Sequence, residues 1–208
     1  MTQTIGIIGT GMIGGQLARL SVAAGFNVIL SNSRSPDSIK DLVGELGERA
    51  RAATPPDAAR ASDLVVAAIP FGVYTKLPAE ALVGKIVIDT MNYYPERDGI
   101  MREVKTDTIS TSELVQRHLS ESSVVKALNN MDYIRLFTCG RPKGSPERSA
   151  IPAAGDKSQG KLTPEEADSY FMQAPGAVVT SEQVKALLAK AVRHDKMAGS
   201  MAAFRESL

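Results

Sequence analysis

The segment that most constrains this chain is Gly9-Thr10-Gly11-Met12-Ile13-Gly14. It follows a short apolar run, Thr4–Ile8, and precedes a stretch in which Ile13, Leu17, Leu20 and Ala24 fall on one stripe at helical period. A strand, a tight glycine turn and a helix in that order predict the opening of a βαβ unit, with a steric task for each glycine. Gly9 permits the turn, Gly11 lets a pyrophosphate approach the backbone, and Gly14 lets the helix lie close on the strand. The first N–H groups of the helix, unpaired within it, then face the phosphates with the positive end of the helix dipole. Gly9, Thr10, Gly11, Met12, Ile13 and Gly14 are therefore candidate dinucleotide contacts. The weaker alternative is that these glycines are plain turn residues.

The rest of the sequence repeats the same rhythm. Apolar runs of about five residues recur at Asn27–Ser31, 64–69, 85–89 and 123–128. They are rich in Val and Ile and nearly continuous in hydrophobicity, as strands covered on both faces of a parallel sheet are. The first helix is expected over 12–24, stopped by Gly25. Ser35-Pro36 opens a second, with Ile39, Leu42, Val43 and Leu46 as its buried face. Capping boxes at Ser110/Glu113, Thr163/Glu166 and Thr180/Gln183 start later helices. Loops rich in Pro, Gly or polar residues fall at 141–149 and 155–161. The predicted fold is α/β, a Rossmann-type doubly wound, mostly parallel sheet with a helical C-terminal extension. Residues 1–156 form the dinucleotide-binding domain, and 157–208 the extension, packing on the domain or on a second subunit.

The end of the second strand selects the cofactor. A site for NAD usually places Asp or Glu there to accept both ribose hydroxyls. This chain reads Ser31-Asn32-Ser33-Arg34-Ser35, and its next carboxylate is Asp37, beyond Pro36. Hydroxyls and a guanidinium suit a 2′-phosphate, which Arg can grip through two bonds. Ser33 and Arg34 are thus expected to select NADP(H), with the dipole of the helix starting at Pro36 behind the same anion. A solvated turn rich in Ser and Asn is the plainer reading.

Further candidates lie where a doubly wound sheet binds its ligand, at the C-terminal ends of strands. Ile69 and Pro70 end one run and are expected to border the nicotinamide, with Phe71 flanking that side of the cleft. Asn92 and Asn129 follow the next two runs and could hydrogen-bond a carboxamide or a substrate. The alternative there is that Asp89 and the Asn residues merely cap and turn. Lys126, on a strand, is expected to face solvent, and His118 and His194 to lie at the surface. No Tyr-x-x-x-Lys pair is present, so no short-chain dehydrogenase proton relay is expected. The catalytic residues stay unknown at this level.

Composition excludes several classes. With 24 basic against 23 acidic residues the chain has no global field to bind nucleic acid or an anionic membrane. Two histidines and the lone Cys139 argue against a metal site or a disulfide framework and fit a reducing, cytoplasmic setting. Apolar runs such as 64–74 are too short to span a membrane.

Several motifs in fixed order carry a resemblance. IGIIGTGMIGGQLARL, SNSRSP, AAIPFGVY, VIDTMNYYPERDG, TSELVQRHL, VVKALNN and GRPKGSPERSAIPAAGD, spanning about residues 3–156, resemble the NADP-dependent oxidoreductases typified by deazaflavin (coenzyme F420):NADP oxidoreductase. The resemblance implies that Thr10, Gly11, Met12 and Ile13 hold the pyrophosphate, Ser33 and Arg34 the 2′-phosphate, and that Ile69 and Pro70 border the nicotinamide. It implies hydride transfer between NADPH and a second redox carrier, a deazaflavin coenzyme, with no obligatory protein acid or base. Another small acceptor (carbonyl, imine or flavin) or a non-catalytic NADP(H) sensor are the alternatives, and a homodimer acting on a small-molecule redox substrate is expected. After residue 156 the chain leaves the family pattern. Met197, Met201 and Phe204 there stand at helical spacing, a stripe expected to pack.

Overall fold

Each short Val/Ile run lacks a polar face, so it is stable only where helices cover it on both sides. The computed structural model describes residues 3–106, 108–138, 140 and 153–155 of the 208. Its strands are β1 (Thr4–Ile8), β2 (Asn27–Ser31), β3 (Ala50–Ala52), β4 (Leu64–Ala67), β5 (Ile86–Asp89), β6 (Ser123–Ala127) and β7 (Ala153–Ala154). Its helices are α1 (Met12–Ala23), α2 (Lys40–Leu46), α3 (Pro55–Arg60), α4 (Ala79–Leu82), α5 (Pro95–Asp98), α6 (Arg102–Lys105), α7 (Thr111–His118) and α8 (Tyr133–Thr138). The sheet order is β3-β2-β1-β4-β5-β6-β7, with β1 to β6 parallel and β7 antiparallel to β6. The chain moves outward from β1 to β3 and then returns to β4 on the other side of β1. This reversal opens a crevice at the C-terminal ends of β1 and β4, where doubly wound sheets bind ligands.

Alternate strand residues supply two cores. Ile5, Ile7, Val28, Leu30, Leu64, Val66 and Ile88 pack with Leu17 and Ala18 of α1 and with Ile39. Val65, Ala67, Val87 and Val124 face the other way, against Phe71, Leu82, Leu114 and Val115. The sheet is therefore buried on both faces, as the unbroken hydrophobicity of its strands requires.

Local signals acted as expected at several ends. Gly25 adopts φ 86° and its N–H bonds Val22 O at 2.9 Å, stopping α1. The box at α7 closes reciprocally: Glu113 N–H donates to Ser110 Oγ at 3.2 Å, and Ser110 N–H to Glu113 Oε2 at 2.7 Å.

Elsewhere the expectations need correcting. The second helix does not run from Pro36; a 3-10 turn, Pro36–Ile39, comes first, and its Ile39 is the buried residue, with Leu42, Val43 and Leu46 only half-buried. Four residues of 3-10 turn align too few peptide dipoles to back an anion as supposed. Strands β3 and β7 were not anticipated, being three and two residues long with no periodic signal to show. The boundary at 156, the extension 157–208 with its Met197, Met201 and Phe204 stripe, the loop 141–149, Cys139 and His194 lie outside the described residues.

Candidate cofactor site

The three motif glycines do different work. Gly9 has φ 103°, its N–H donates to Ser31 O at 2.9 Å, and a β-carbon on it would sit 2.3 Å from Ala68 O. A β-carbon on Gly14 would lie 1.8 Å from Gly9 O. Both glycines are demanded by the packing of β1, α1 and the β4 end. Gly11 differs: a β-carbon there would meet nothing within 4 Å among the described residues, and its backbone, at φ −73°, is open to any residue. The packing of the described residues does not require glycine at this position. A ligand lying over the backbone would.

Helix α1 begins at that open position. Gly11 is its N-cap, no side chain caps it, and its first turn holds no acidic residue. Its leading N–H groups are thus left for water or an anion. Met12 is exposed, Thr10 is half-buried, and Ile13 packs partly on the core, so Ile13 can offer a ligand little beyond its backbone.

Beside this loop the end of β2 is a constructed turn. Asn32 Oδ1 accepts Arg34 N–H at 2.9 Å, its Nδ2 donates to Ser38 Oγ at 2.7 Å, and Ser38 Oγ donates to Ser35 O at 2.6 Å. Asn32 is therefore a structural residue that holds 33–35 outward; an Asn two residues ahead of the turned N–H was the available signal for it. Ser33 and Arg34 are exposed, and the Arg34 guanidinium has no ion-pair partner among the described residues. Ser31, at the strand end, is fully buried, with its hydroxyl on Ile7 O.

The other candidates gather at the C-terminal ends of β4, β5 and β6. Ile69 is half-buried, and Pro70 is exposed where the chain leaves β4. Asn92 Nδ2 donates to Asn129 O at 2.7 Å, and Asn129 Nδ2 reaches Asn92 Oδ1 at 3.4 Å, so these two residues are joined directly. The buried Asn129 Oδ1 finds no donor among the described residues. Leu128, between β6 and Asn129, adopts φ 64°, a left-handed conformation that is strained for a residue with a branched side chain.

Two neighbours contradict expectation. Phe71 does not flank a cleft: it is fully buried, stacked on Tyr74 at 5.1 Å and edge-on to Tyr93 at 5.9 Å. The 3-10 turn Phe71–Lys76 after Pro70 carries the ring inward. Lys126 does not face solvent. It is 5% exposed, and its Nζ donates to Asp89 Oδ2 at 3.3 Å and to the Met91 carbonyl. Asp89 is fully buried, its Oδ1 accepting Met91 N–H at 2.9 Å and its Oδ2 the Ser112 hydroxyl at 2.8 Å. His118 is half-buried, its Nε2 at 2.9 Å from Leu77 O. Among the described residues no group of three His, Cys, Asp or Glu side chains could hold a metal, and no helix is long and apolar enough to cross a membrane.

The loop after β5 is pinned by a charge that sequence reading missed. Asp98 Oδ1 and Oδ2 both accept from Arg97, at 2.8 Å each, and Oδ2 also accepts Tyr94 N–H at 2.9 Å. Arg97 Nη2 in turn donates to Asn92 O at 2.7 Å. The Arg97 contact, helped by backbone N–H groups of Tyr94 and Gly72, lowers the Asp98 carboxyl from 3.8 to about 2. Because the folded form holds its proton less tightly than the unfolded chain, this stability is present above pH 3.8 and is lost as pH falls toward 2. Arg97 is half exposed, so we expect a loss of about 1–2 kcal/mol across that window. Asp98→Asn should flatten it, and thermal unfolding at stepped acid pH checks the difference; parallel curves would refute the assignment.

Comparison with known proteins bears on the fold and on part of the sequence. Residues 4–93, rather less than half of the chain, match the family described as "NADP oxidoreductase coenzyme F420-dependent". No curated protein matches. Among solved structures, a hypothetical protein from Sinorhizobium meliloti is 25% identical, with TM-score 0.63 and coverage of 76% of this chain and 75% of that one. A protein from Arthrobacter sp. FB24 described as an F420-dependent NADP-reductase candidate is 21% identical, with TM-score 0.64 and coverage of 95% and 96%. A reductive aminase from Aspergillus terreus, solved with NADPH and ethyl-5-oxohexanoate, shares 18% identity, TM-score 0.55 and coverage of 96% and 64%. These structures share the Rossmann-like fold. Through residues 4–93 the chain is thus similar to the coenzyme F420-dependent family of NADP oxidoreductases.

Proposed function

We propose that this oxidoreductase binds NADP(H) across the C-terminal ends of β1, β2 and β4 to β6, and transfers hydride between NADPH and a deazaflavin coenzyme. The observation that carries the cofactor half is the space over Gly11, left open by the described residues at a helix start without a side-chain cap, together with an exposed Arg34 that has no ion-pair partner among them. In this reading Gly9, Thr10, Gly11, Met12, Ile13 and Gly14 form the pyrophosphate loop. Ser33 and Arg34 take the 2′-phosphate, while Ile69, Pro70, Asn92 and Asn129 border the nicotinamide. Asn129 Oδ1, buried without a donor among the described residues, suits a carboxamide N–H. The bound nicotinamide supplies the hydride; the protein supplies orientation, which is most of what a transfer between two planar rings needs. The family description supports a deazaflavin acceptor. We place the enzyme in the cytoplasm as a homodimer acting on a small-molecule redox substrate.

Stopped-flow mixing of the NADPH-loaded protein with a deazaflavin, flavins, imines and small carbonyls tests the acceptor. Reduced-nicotinamide absorbance should fall fastest with the deazaflavin. Faster turnover of an imine or carbonyl would replace that acceptor. Tight NADPH binding with no oxidation by any of them would mark a sensor. For the cofactor, Arg34→Ala should weaken NADPH binding by about 1.5–3 kcal/mol, the scale of a charged hydrogen bond, and barely affect NADH. Equal losses for the two cofactors in calorimetric titration would remove the 2′-phosphate assignment.

A further inference from the structure

The buried Lys126–Asp89 pair touches none of the ligand groups assigned above, yet both charges act on one residue. Asp89 Oδ1 holds the Met91 N–H and Lys126 Nζ holds the Met91 carbonyl, so the backbone of Met91 is clamped at both its polar groups. Met91 immediately precedes Asn92, whose carbonyl is held by Arg97 and whose side chain is joined to Asn129. Across the gap, the left-handed Leu128 turns the chain so that Asn129 presents its carbonyl to that side chain. Burying a lysine and an aspartate is costly, and well-packed apolar residues usually stabilise a core as well or better. Val87, Val115 and Val124 belong to the apolar core on this side of the sheet. What apolar residues could not do is fix the direction of one peptide group at the ends of β5 and β6.

We propose that Asp89 and Lys126 are positioning residues: through Met91 they set the Asn92–Asn129 bridge as a platform for the nicotinamide half of NADP(H). This rests on the cofactor reading above. It goes further in assigning a role to a pair that would not touch the cofactor, and in confining that role to one half of the ligand. The adenosine half lies against Gly11 and Arg34, which the pair does not reach.

The two halves can be titrated separately. 2′-Phospho-ADP-ribose carries the adenosine, 2′-phosphate and pyrophosphate but no nicotinamide. The single variant Lys126→Met would leave Asp89 buried and unpaired, so the double variant Asp89→Asn/Lys126→Met carries the test, with circular dichroism to check its fold. We expect its NADPH affinity to fall about tenfold and the emission of bound NADPH to shift toward that of free NADPH. Its affinity for 2′-phospho-ADP-ribose should stay within about twofold of wild type. Equal losses for both ligands would show a general structural role and overturn the proposal, as would no loss for either. Wild-type protein that binds neither ligand would instead overturn the cofactor reading, and this inference with it.

Discussion

Gly11→Val should abolish measurable NADP(H) binding while leaving the protein folded and nearly as stable as wild type. The two halves of that expectation come from one observation. A β-carbon at Gly11 meets no atom of the described residues within 4 Å, and the backbone there is not left-handed, so the substitution neither clashes with them nor strains the chain. The remaining cost is the poor N-cap preference of valine, about 1 kcal/mol or less relative to glycine. A pyrophosphate lying over the same backbone would collide with the isopropyl group. A loss of about 3 kcal/mol or more, a hundredfold in affinity, is the expected result. Gly14→Ala provides the contrast. Its methyl group would lie 1.8 Å from Gly9 O, so β1 and α1 must separate, at a cost of about 3 kcal/mol or more of stability. Denaturant unfolding and NADPH titration on both variants resolve the two effects. If Gly11→Val unfolds the protein, or binds NADPH normally, the vacancy over Gly11 is not the ligand's space.

That contrast also marks how far sequence reasoning reached. The order strand, glycine turn, helix was legible because each piece is local: an isoleucine-rich run of five residues, Thr4–Ile8, three glycines at fixed spacing, and a 3.6-residue stripe beginning at Ile13. Which glycine makes room for ligand and which for packing depends on Ala68, fifty-nine residues away in the chain and brought to Gly9 by the β1–β4 pairing. Phe71 was misplaced for a related reason. An aromatic residue after a strand-ending proline looks like a cleft wall, but the 3-10 turn that follows Pro70 directs it onto Tyr74 and Tyr93. Ser33 and Arg34 were legible as exposed polar groups; the Asn32 hydrogen bonds that hold the turn were not. The strand β7 returns from beyond 140 as two residues beside β6, and no pattern of two residues can announce itself.

Lys126 is the largest of these reversals, and its substitution carries the second large effect. A lysine on a strand is ordinarily solvent-facing because an unpaired ammonium in a core is prohibitively expensive. Here the parallel register sets Lys126 directly beside Asp89 on the neighbouring strand, thirty-seven residues back, and Ser112 of α7 closes over the carboxylate. Lys126→Met should therefore cost about 3–5 kcal/mol, because it leaves Asp89 charged, buried and short of its cation. A domain of this size commands only about 5–15 kcal/mol in all, so the variant should be marginal at ambient temperature. Adding Asp89→Asn should restore most of that loss. An asparagine oxygen can still accept the Met91 N–H, and no lone charge remains for the core to hold. Urea unfolding of wild type, both single variants and the double variant closes the cycle. The expected coupling is positive, with the double variant more stable than Lys126→Met alone. Additive losses would mean that Asp89 and Lys126 act independently, and a Lys126→Met protein as stable as wild type would mean that the ammonium is not enclosed by β5, β6 and α7.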